Sequence, residues 1–561
     1  MKKFMLSLVL IFAISEAALA QTPSQAPSGS SSQNSLTDEV DKIFEEYDKP
    51  NSPGCALAVI KDGHILYKRG YGSAHLEYNI PITPSTIFHV ASVSKQFTAF
   101  AVTMLAQQGK LSLDDDIRKH LPEVPDFGKT ITIRHLIHHT SGLRDQWELL
   151  AMAGWRLDDV ITKAHIMKMV RHQKTLNFDP GQEYLYCNTG YTLLAVIVEK
   201  LTGQSFRQYT EANIFKPLSM TNTHFHDDHE MIVKNRAYSY APDSSHGFRA
   251  SVLSYANAGA TSLFTTVEDL AKWVQNFEDG RVGGAAAIEQ MHQQGILNNG
   301  EKISYAFAIV IGNYRGLRTI AHSGADAGFR SHLIRFPDQK FAVAILSNLA
   351  TFDPARRARQ VADIYLADQL LPEKPKIEVK LTPAMLDSYV GKYLLQSGLV
   401  ITVTKENGRL MSQATRQPRY ELFPESEAKF FMRAIDAQIS FHRDETGKVT
   451  ELTLHQNNQN TPAKKFEPLN LSQRQLAEFV GEYFSDELGT AYTIGIQNGQ
   501  LVAQHRRHDD TPLISTFAEQ FWGEPWWFRQ VHFMRDQEKR VTGFRLSNAR
   551  VKNLLFDKQA H

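Results

Sequence analysis

Toward its C-terminus the chain repeats itself, and that repetition restricts the possible folds more than any other feature. Leu381, Leu386, Tyr389, Val390, Gly391 and Tyr393 are answered, at a constant offset of 90, by Leu471, Leu476, Phe479, Val480, Gly481 and Tyr483. Asn407-Gly408-Arg409-Leu410 is answered by Asn498-Gly499-Gln500-Leu501. Phe441, Arg443, Asp444, Val449 and Thr450 are answered by Phe533, Arg535, Asp536, Val541 and Thr542. Three blocks kept in order describe one unit used twice. Each unit opens with a short helical pattern, then Gly-x-Tyr, then strand-like runs joined by Asn-Gly and Asp-containing turns. Each should therefore close as a small antiparallel β-barrel, over 381–468 and 471–558. A linker at 371–380 (LPEKPKIEVK) joins them to what precedes.

Upstream, over 36–370, short apolar runs alternate with longer amphipathic segments, the pattern of an α/β layered domain. Residues 56–60 and 64–67 flank Lys61-Asp62-Gly63, which reads as a hairpin turn. Residues 92–108 carry Phe97, Phe100, Ala101, Met104 and Leu105 at helical spacing and stop at Gly109. Thr266 followed by Asp269 predicts a capping box. Strands are expected at 303–311, 317–321, 329–336 and 341–347.

Lys2-Lys3, the apolar run 4–14 and Ala18-Leu19-Ala20 read as a secretory signal peptide over 1–20, followed by a Pro/Ser/Gly-rich flexible tether over 21–35. The expected location is periplasmic or secreted, with no stable membrane insertion once the leader is cleaved. A formal net charge of +1 over 561 residues provides no field for a nucleic-acid partner. Two cysteines, Cys55 and Cys187, exclude a disulfide scaffold and CxxC metal sites, and their spacing leaves open whether they pair.

Acyl transfer requires a nucleophile, a base in contact with it, and donors for the developing oxyanion. Serine followed three residues later by lysine at a helix start places alcohol and amine on one face. The pattern occurs at Ser92-Val93-Ser94-Lys95 and at Ser426-Glu427-Ala428-Lys429. The first opens the most apolar helix of the domain, so Lys95 enters a core layer where burial disfavours its charged form. The second lies in a polar loop, where Lys429 is solvated. Tyr-x-Asn, which could supply a phenol to the amine and an amide to a substrate, occurs at Tyr186-Cys187-Asn188, before an apolar helix, and at Tyr255-Ala256-Asn257, in a Gly/Ala-rich loop. The first is preferred. His322-Ser323-Gly324, followed by Ala325, suits a strand edge where backbone must approach an acyl group.

These three motifs in this order resemble the serine β-lactamase/penicillin-binding-protein-like hydrolases, in the class C-like branch that includes D-aminopeptidases and esterases. Pro53-Gly54, residues 131–143 (ITIRHLIHHTSGL) and 259–273 (GATSLFTTVEDLAKW) look like the same family, and the tail is similar to the lipocalin-like barrels appended to its D-aminopeptidases. The resemblance implies an antiparallel sheet flanked by helices, with Ser92 as acylated nucleophile, Lys95 as base and Tyr186 sharing the proton. It implies Asn188, His322, Gly324 and Ala325 as substrate-binding residues, with the N–H groups of Ser92 and Ala325 as the oxyanion hole and no metal or cofactor. The implied partner is a small peptide, amide or ester, the implied enzyme a peptidase. An esterase, a weak β-lactamase and a non-catalytic binder of cell-wall ligands are the alternatives. Penicillin-hydrolysing members carry lysine where this chain has His322, and a mostly neutral imidazole is a poor anchor for a carboxylate.

Other histidine groups read as structural. His224-Phe225-His226-Asp227-Asp228-His229 spells a zinc-hydrolase pattern in the wrong context, and His135, His138 and His139 are expected to shape a loop. Trp526-Trp527-Phe528 should fill or rim a barrel.

Overall fold

A computed structural model describes residues 30–373, 375–456 and 459–560. The leader at 1–20, and the tether up to residue 29, lie outside them. The chain is already helical from Ser30 to Phe44, so residues 30–35 continue a helix rather than a tether. Val40 and Phe44 are fully buried at its far end, and an anchored last turn lets helix propagate backwards.

Six strands form the central sheet, in the order Val310–Tyr314, Leu317–Asp326, Phe329–Phe336, Phe341–Ser347, Cys55–Lys61, His64–Tyr71, every neighbour antiparallel. Alternation along Cys55–Lys61 divides the core. Ala56, Ala58 and Ile60 face the helices Ser94–Gln107, Asn188–Thr202 and Val267–Asp279, whereas Cys55, Leu57 and Val59 face the helices Ser30–Phe44 and Pro354–Tyr365. The sheet thus separates Cys55 from Cys187, and both are free, buried thiols.

Asp62 and Gly63 both take positive φ, as a tight hairpin between right-twisted strands requires. Two expectations need correction. The strand expected at 303–311 runs instead over Val310–Tyr314, because Ala308 adopts φ +57 and Ala306 N–H bonds back to Ile309 O, turning the chain. The capping box at Thr266 is half made. Its hydroxyl accepts from Asp269 N–H at 3.1 Å, but the Asp269 carboxylate turns to Asn222 N–H, Thr223 and Lys272.

Each repeat closes into an eight-stranded antiparallel barrel, Gly391–Leu395 to Gln459–Phe466 and Gly481–Ser485 to Leu554–Lys558. The matched residues do matched work. Tyr393 and Tyr483 each donate to the carbonyl four residues earlier at 2.7 Å, and Arg443 and Arg535 each lie over the ring at the paired positions 389 and 479. Asn407-Gly408 and Asn498-Gly499 are positive-φ hairpin turns.

The second barrel is not an appendage. Its interior residues form one core with Leu149, Leu150, Met152, Ile161, Ile166 and Met169 of the α/β domain. Tyr492 OH donates to Met152 O at 3.0 Å. A buried ion pair, Arg144 to Glu487 at 2.5 and 2.6 Å, crosses the junction, with Arg144 also donating to Thr175 and Lys552 O. The first barrel touches the second through Trp522 Nε1–H to Gly398 O at 2.7 Å. Among the described residues no helix is long and apolar enough to cross a membrane.

Candidate active site

Ser92 sits in a single 3₁₀ turn, Ala91–Val93, from which the α-helix Ser94–Gln107 continues. The turn is strained, since Ala91 holds φ +47, a region that side chains other than glycine rarely occupy. Neighbours hold it there. Ser331 Oγ donates to Val90 O at 2.7 Å, Ser94 Oγ bonds Ala91 O, and Leu263 N–H bonds Ser94 Oγ at 3.0 Å. Gly324 presses on the same turn. A Cβ there would lie 2.3 Å from Val90 O and 3.0 Å from Ser92 N, so only glycine fits.

One turn further, Lys95 is fully buried. Its Nζ lies 3.0 Å from Ser92 Oγ, 2.9 Å from Asn188 Oδ1 and 2.6 Å from Ala260 O. The last two are pure acceptors. In the neutral amine they take both hydrogens and leave the lone pair facing the serine O–H. Burial holds this amine down to about 7, and the Arg550 cation adds to the effect, against opposite pulls from Asp145 and Asp326. A neutral amine able to accept a proton is therefore present near neutrality.

Asn188, the first residue of the helix Asn188–Thr202, is held from behind. Asp145 Oδ2 accepts from its backbone N–H at 2.7 Å and from Nδ2 at 2.8 Å, so its carbonyl oxygen points to Lys95. Tyr186 is also in place, but it meets Lys95 through its ring, Nζ standing 4.9 Å from the centroid. Its hydroxyl is buried and makes no hydrogen bond among the described residues. Burial raises this phenol, with the Ser92 hydroxyl and Arg550 pulling the other way. His139, at φ +59, packs its ring 4.1 Å from that of Tyr186, and its Nδ1 accepts from Cys187 N–H at 3.0 Å.

His322, Gly324 and Ala325 lie on the strand Leu317–Asp326. Its neighbour Val310–Tyr314 pairs only as far as Ala321, which leaves residues 322–326 as an edge facing Ser92. His322 is buried in a fixed tautomer. Its Nδ1–H donates to Ser323 O at 2.7 Å, so Nε2 accepts from Tyr305 OH at 3.0 Å. Burial and the nearby Lys95 depress it to about 3, and it carries no charge at neutral pH. A cavity of about 840 Å³ opens in front, lined by Ser92, Tyr186, Asn188, the edge 322–327, Trp526 and Arg550.

Sequence reasoning did not find Asp145, Tyr305 or Arg550. Asp145 had a signal, lying just after Ser141-Gly142-Leu143 and capping the helix Gln146–Met152 through Trp147 N–H. The rejected motifs lie elsewhere. Lys429 pairs with Glu425 at 3.0 Å, and Ser426 Oγ accepts from Lys429 N–H. His226 packs on Phe264, and among the described residues no cluster of three or more His, Cys, Asp or Glu could hold a metal ion.

A serine and a desolvated lysine at one helix start, faced by a free strand edge on an antiparallel sheet, define a class of serine hydrolases. The chain belongs to the Beta-lactamase family, which it matches over residues 40–366. Residues 375–473 match a domain of unknown function, DUF3471. The chain is 31% identical over 419 residues to Penicillin-binding protein 4* of Bacillus subtilis (strain 168), covering 71% of this chain and 92% of the relative. It is 25% identical over 451 residues to a D-aminopeptidase of Gluconobacter oxydans (strain 621H), covering 80% and 82%. Among solved structures, the octameric penicillin-binding protein homologue from Pyrococcus abyssi matches with a TM-score of 0.56 at 25% identity, over 77% of this chain and 99% of that one. The D-amino acid amidase from Ochrobactrum anthropi SV3 shares the fold, with a TM-score of 0.51 at 20% identity over 60% of this chain and 99% of that one.

Proposed function

We propose that the protein is an exported hydrolase that cleaves small amides or peptides through an acyl-enzyme on Ser92, acting as a D-aminopeptidase-like enzyme. One observation carries this reading: the buried Lys95 amine 3.0 Å from Ser92 Oγ, with its other two hydrogen-bonding directions filled by Asn188 and Ala260. Ser92 Oγ attacks the acyl carbon while its proton passes to Lys95 Nζ. The oxyanion forms at the N–H groups of Ser92 and Ala325. Loss of one such donor typically slows an enzyme by roughly 10²–10³. The Lys95 ammonium returns the proton to the departing amine as the C–N bond breaks, leaving an ester on Ser92. Water then adds to that ester, giving its proton to Lys95 with the Tyr186 phenol on the Ser92 side to share it, and Ser92 Oγ leaves with a proton restored. Tyr186 acts as a protonated relay, since burial raises its pKa.

A named D-aminopeptidase relative and the neutral His322 both favour amides over penicillins. The test is hydrolysis of paired D- and L-aminoacyl amides and short-chain esters by wild type and Ser92→Ala. The reading expects cleavage of D-aminoacyl amides, reduced at least about 10³-fold in the variant. Activity confined to esters would replace the amidase by an esterase, and activity surviving in Ser92→Ala would overturn the site.

A further inference from the structure

The cavity receives a cation from outside the catalytic domain. Arg550 stands on the loop 548–553, between the last two strands of the second barrel, more than 450 residues from Ser92 in sequence. The loop is fixed by its backbone. Arg550 N–H donates to Glu148 Oε2 at 2.8 Å, and Arg550 O accepts from Asn177 Nδ2 at 2.9 Å. Asn548 Oδ1 accepts from Val551 N–H at 2.9 Å. The side chain is free to serve another purpose.

Its guanidinium lies 5.0 Å from the centre of the Tyr186 ring and lines the same cavity as Ser92. None of its N–H donors makes a hydrogen bond among the described residues. The nearest carboxylate oxygen, Asp145 Oδ2, is 3.9 Å away, and that oxygen already accepts twice from Asn188. Glu148, the other nearby carboxyl, turns Oε2 to the Arg550 backbone, and burial raises it to about 8, so it is mostly uncharged near neutrality. The side chain is 38% exposed, open on the cavity side.

The other cations on the cavity wall are each engaged by the protein. His322 is buried, neutral and bonded at both ring nitrogens. Lys95 faces the serine. Arg330, the second guanidinium on the cavity wall, turns Nη1 to the carbonyls of Ala327 and Phe329. Asp326 is likewise engaged, accepting from Thr261 Oγ1 at 2.9 Å with His89 Nε2 at 3.2 Å. Arg550 thus presents a whole planar fork of free donors to the cavity, where Arg330 has one arm already bonded, and such a fork matches a carboxylate.

We infer that Arg550 of the second barrel binds an anionic group of the substrate, so that the enzyme prefers acyl donors or leaving groups bearing a free carboxylate near the scissile bond. The inference rests on the Ser92 acyl-enzyme reading and adds its substrate class. It gives the barrel a direct part in specificity, transferred from the strand position where His322 stands to a loop of another domain.

Matched boronic acids test it, because boron accepts a lone pair from Ser92 Oγ and becomes tetrahedral whatever bond the enzyme cleaves. The pair is 3-carboxyphenylboronic acid and 3-carbamoylphenylboronic acid, with the 4-substituted pair alongside. Their inhibition constants are measured by protection of the full-length protein from a fluorophosphonate. A charge-assisted contact predicts that one carboxylate of the two pairs binds about 10- to 100-fold tighter than its carboxamide. That ratio should fall close to one in Arg550→Gln and be kept in part by Arg550→Lys. Circular dichroism of Arg550→Gln should match wild type, since the loop is held through its backbone. Equal inhibition by acid and amide in both wild-type pairs, or a preference that survives Arg550→Gln, overturns the inference while leaving the nucleophile intact. Absence of both boronate binding and fluorophosphonate labelling in folded wild type overturns the Ser92 reading itself, and this inference with it.

Discussion

Arg144, in the loop that precedes the helix Gln146–Met152, is ion-paired with Glu487 of the second barrel at 2.5 and 2.6 Å, and both side chains are buried. Asp145, the next residue, holds the Asn188 amide that aims Lys95. The junction between domains and the support of the proposed base therefore share one short piece of chain. Removing one partner of a buried pair leaves the other charge uncompensated, at about 3–5 kcal/mol. Glu487→Ala should lower stability in urea by that order and make the second barrel more sensitive to protease. A loss below about 1 kcal/mol would show that the pair is not what joins the domains.

The pH dependence follows from the charges around Lys95. The base must be neutral to accept the serine proton, so kcat/KM for a neutral ester should rise with pH through about 7 and level off above it. Arg550 pushes the amine down, so Arg550→Gln should move that midpoint to higher pH. Asp145 pulls it up, so Asp145→Asn should move it to lower pH. Asp326, His139 and His322 also face this group and are unchanged in both variants. Profiles that shift together, or not at all, would contradict this electrostatic account.

Gly324 should be intolerant of any side chain. A Cβ 2.3 Å from Val90 O must displace the strained turn that carries Ser92, or the strand that faces it. Gly324→Ala is expected to lower kcat/KM by about 10²-fold, since misplacing reacting groups by about 1 Å is that costly. Unchanged kinetics would mean that the turn relaxes freely.

The local parts of this molecule were legible in its amino acids, and the parts made by packing were not. Ser92 and Lys95 are three residues apart, so helical geometry alone unites them. Gly391 and Gly481 announce the barrels because both repeats need the same bend beside a lysine stem. Tyr305 and Arg550 carry no local pattern that marks them, and Asp145 has only its place as a helix cap after Ser141-Gly142-Leu143; the closure of the sheet and the docking of the second barrel bring them to the cavity. The strand expected at 303–311 failed for a related reason. Its apolar run is buried by tertiary contacts, with Ala306, Phe307 and Ala308 fully covered, while the backbone turns.

Penicillin should be a poor substrate. With His322 neutral and committed to Ser323 O and Tyr305, the strand offers no fixed cation to a penicillin carboxylate, and the Arg550 guanidinium stands against the Tyr186 ring rather than on that strand. Turnover of benzylpenicillin is expected to be at least about 10²-fold below that of a matched ester or amide substrate, the order lost with one buried charged contact. Rapid penicillin hydrolysis would show that another group supplies the cation to that ligand.

The central claim is that Lys95 removes the proton as Ser92 becomes acylated, and intact-protein mass spectrometry with peptide mapping tests it most directly. A fluorophosphonate should add one label, confined to the peptide holding Ser92. Labelling should vanish in Ser92→Ala and slow by at least about 10²-fold in a folded Lys95→Met protein, the usual measure of a lost general base. A label on any other residue, or full-speed labelling without the lysine amine, would contradict the account.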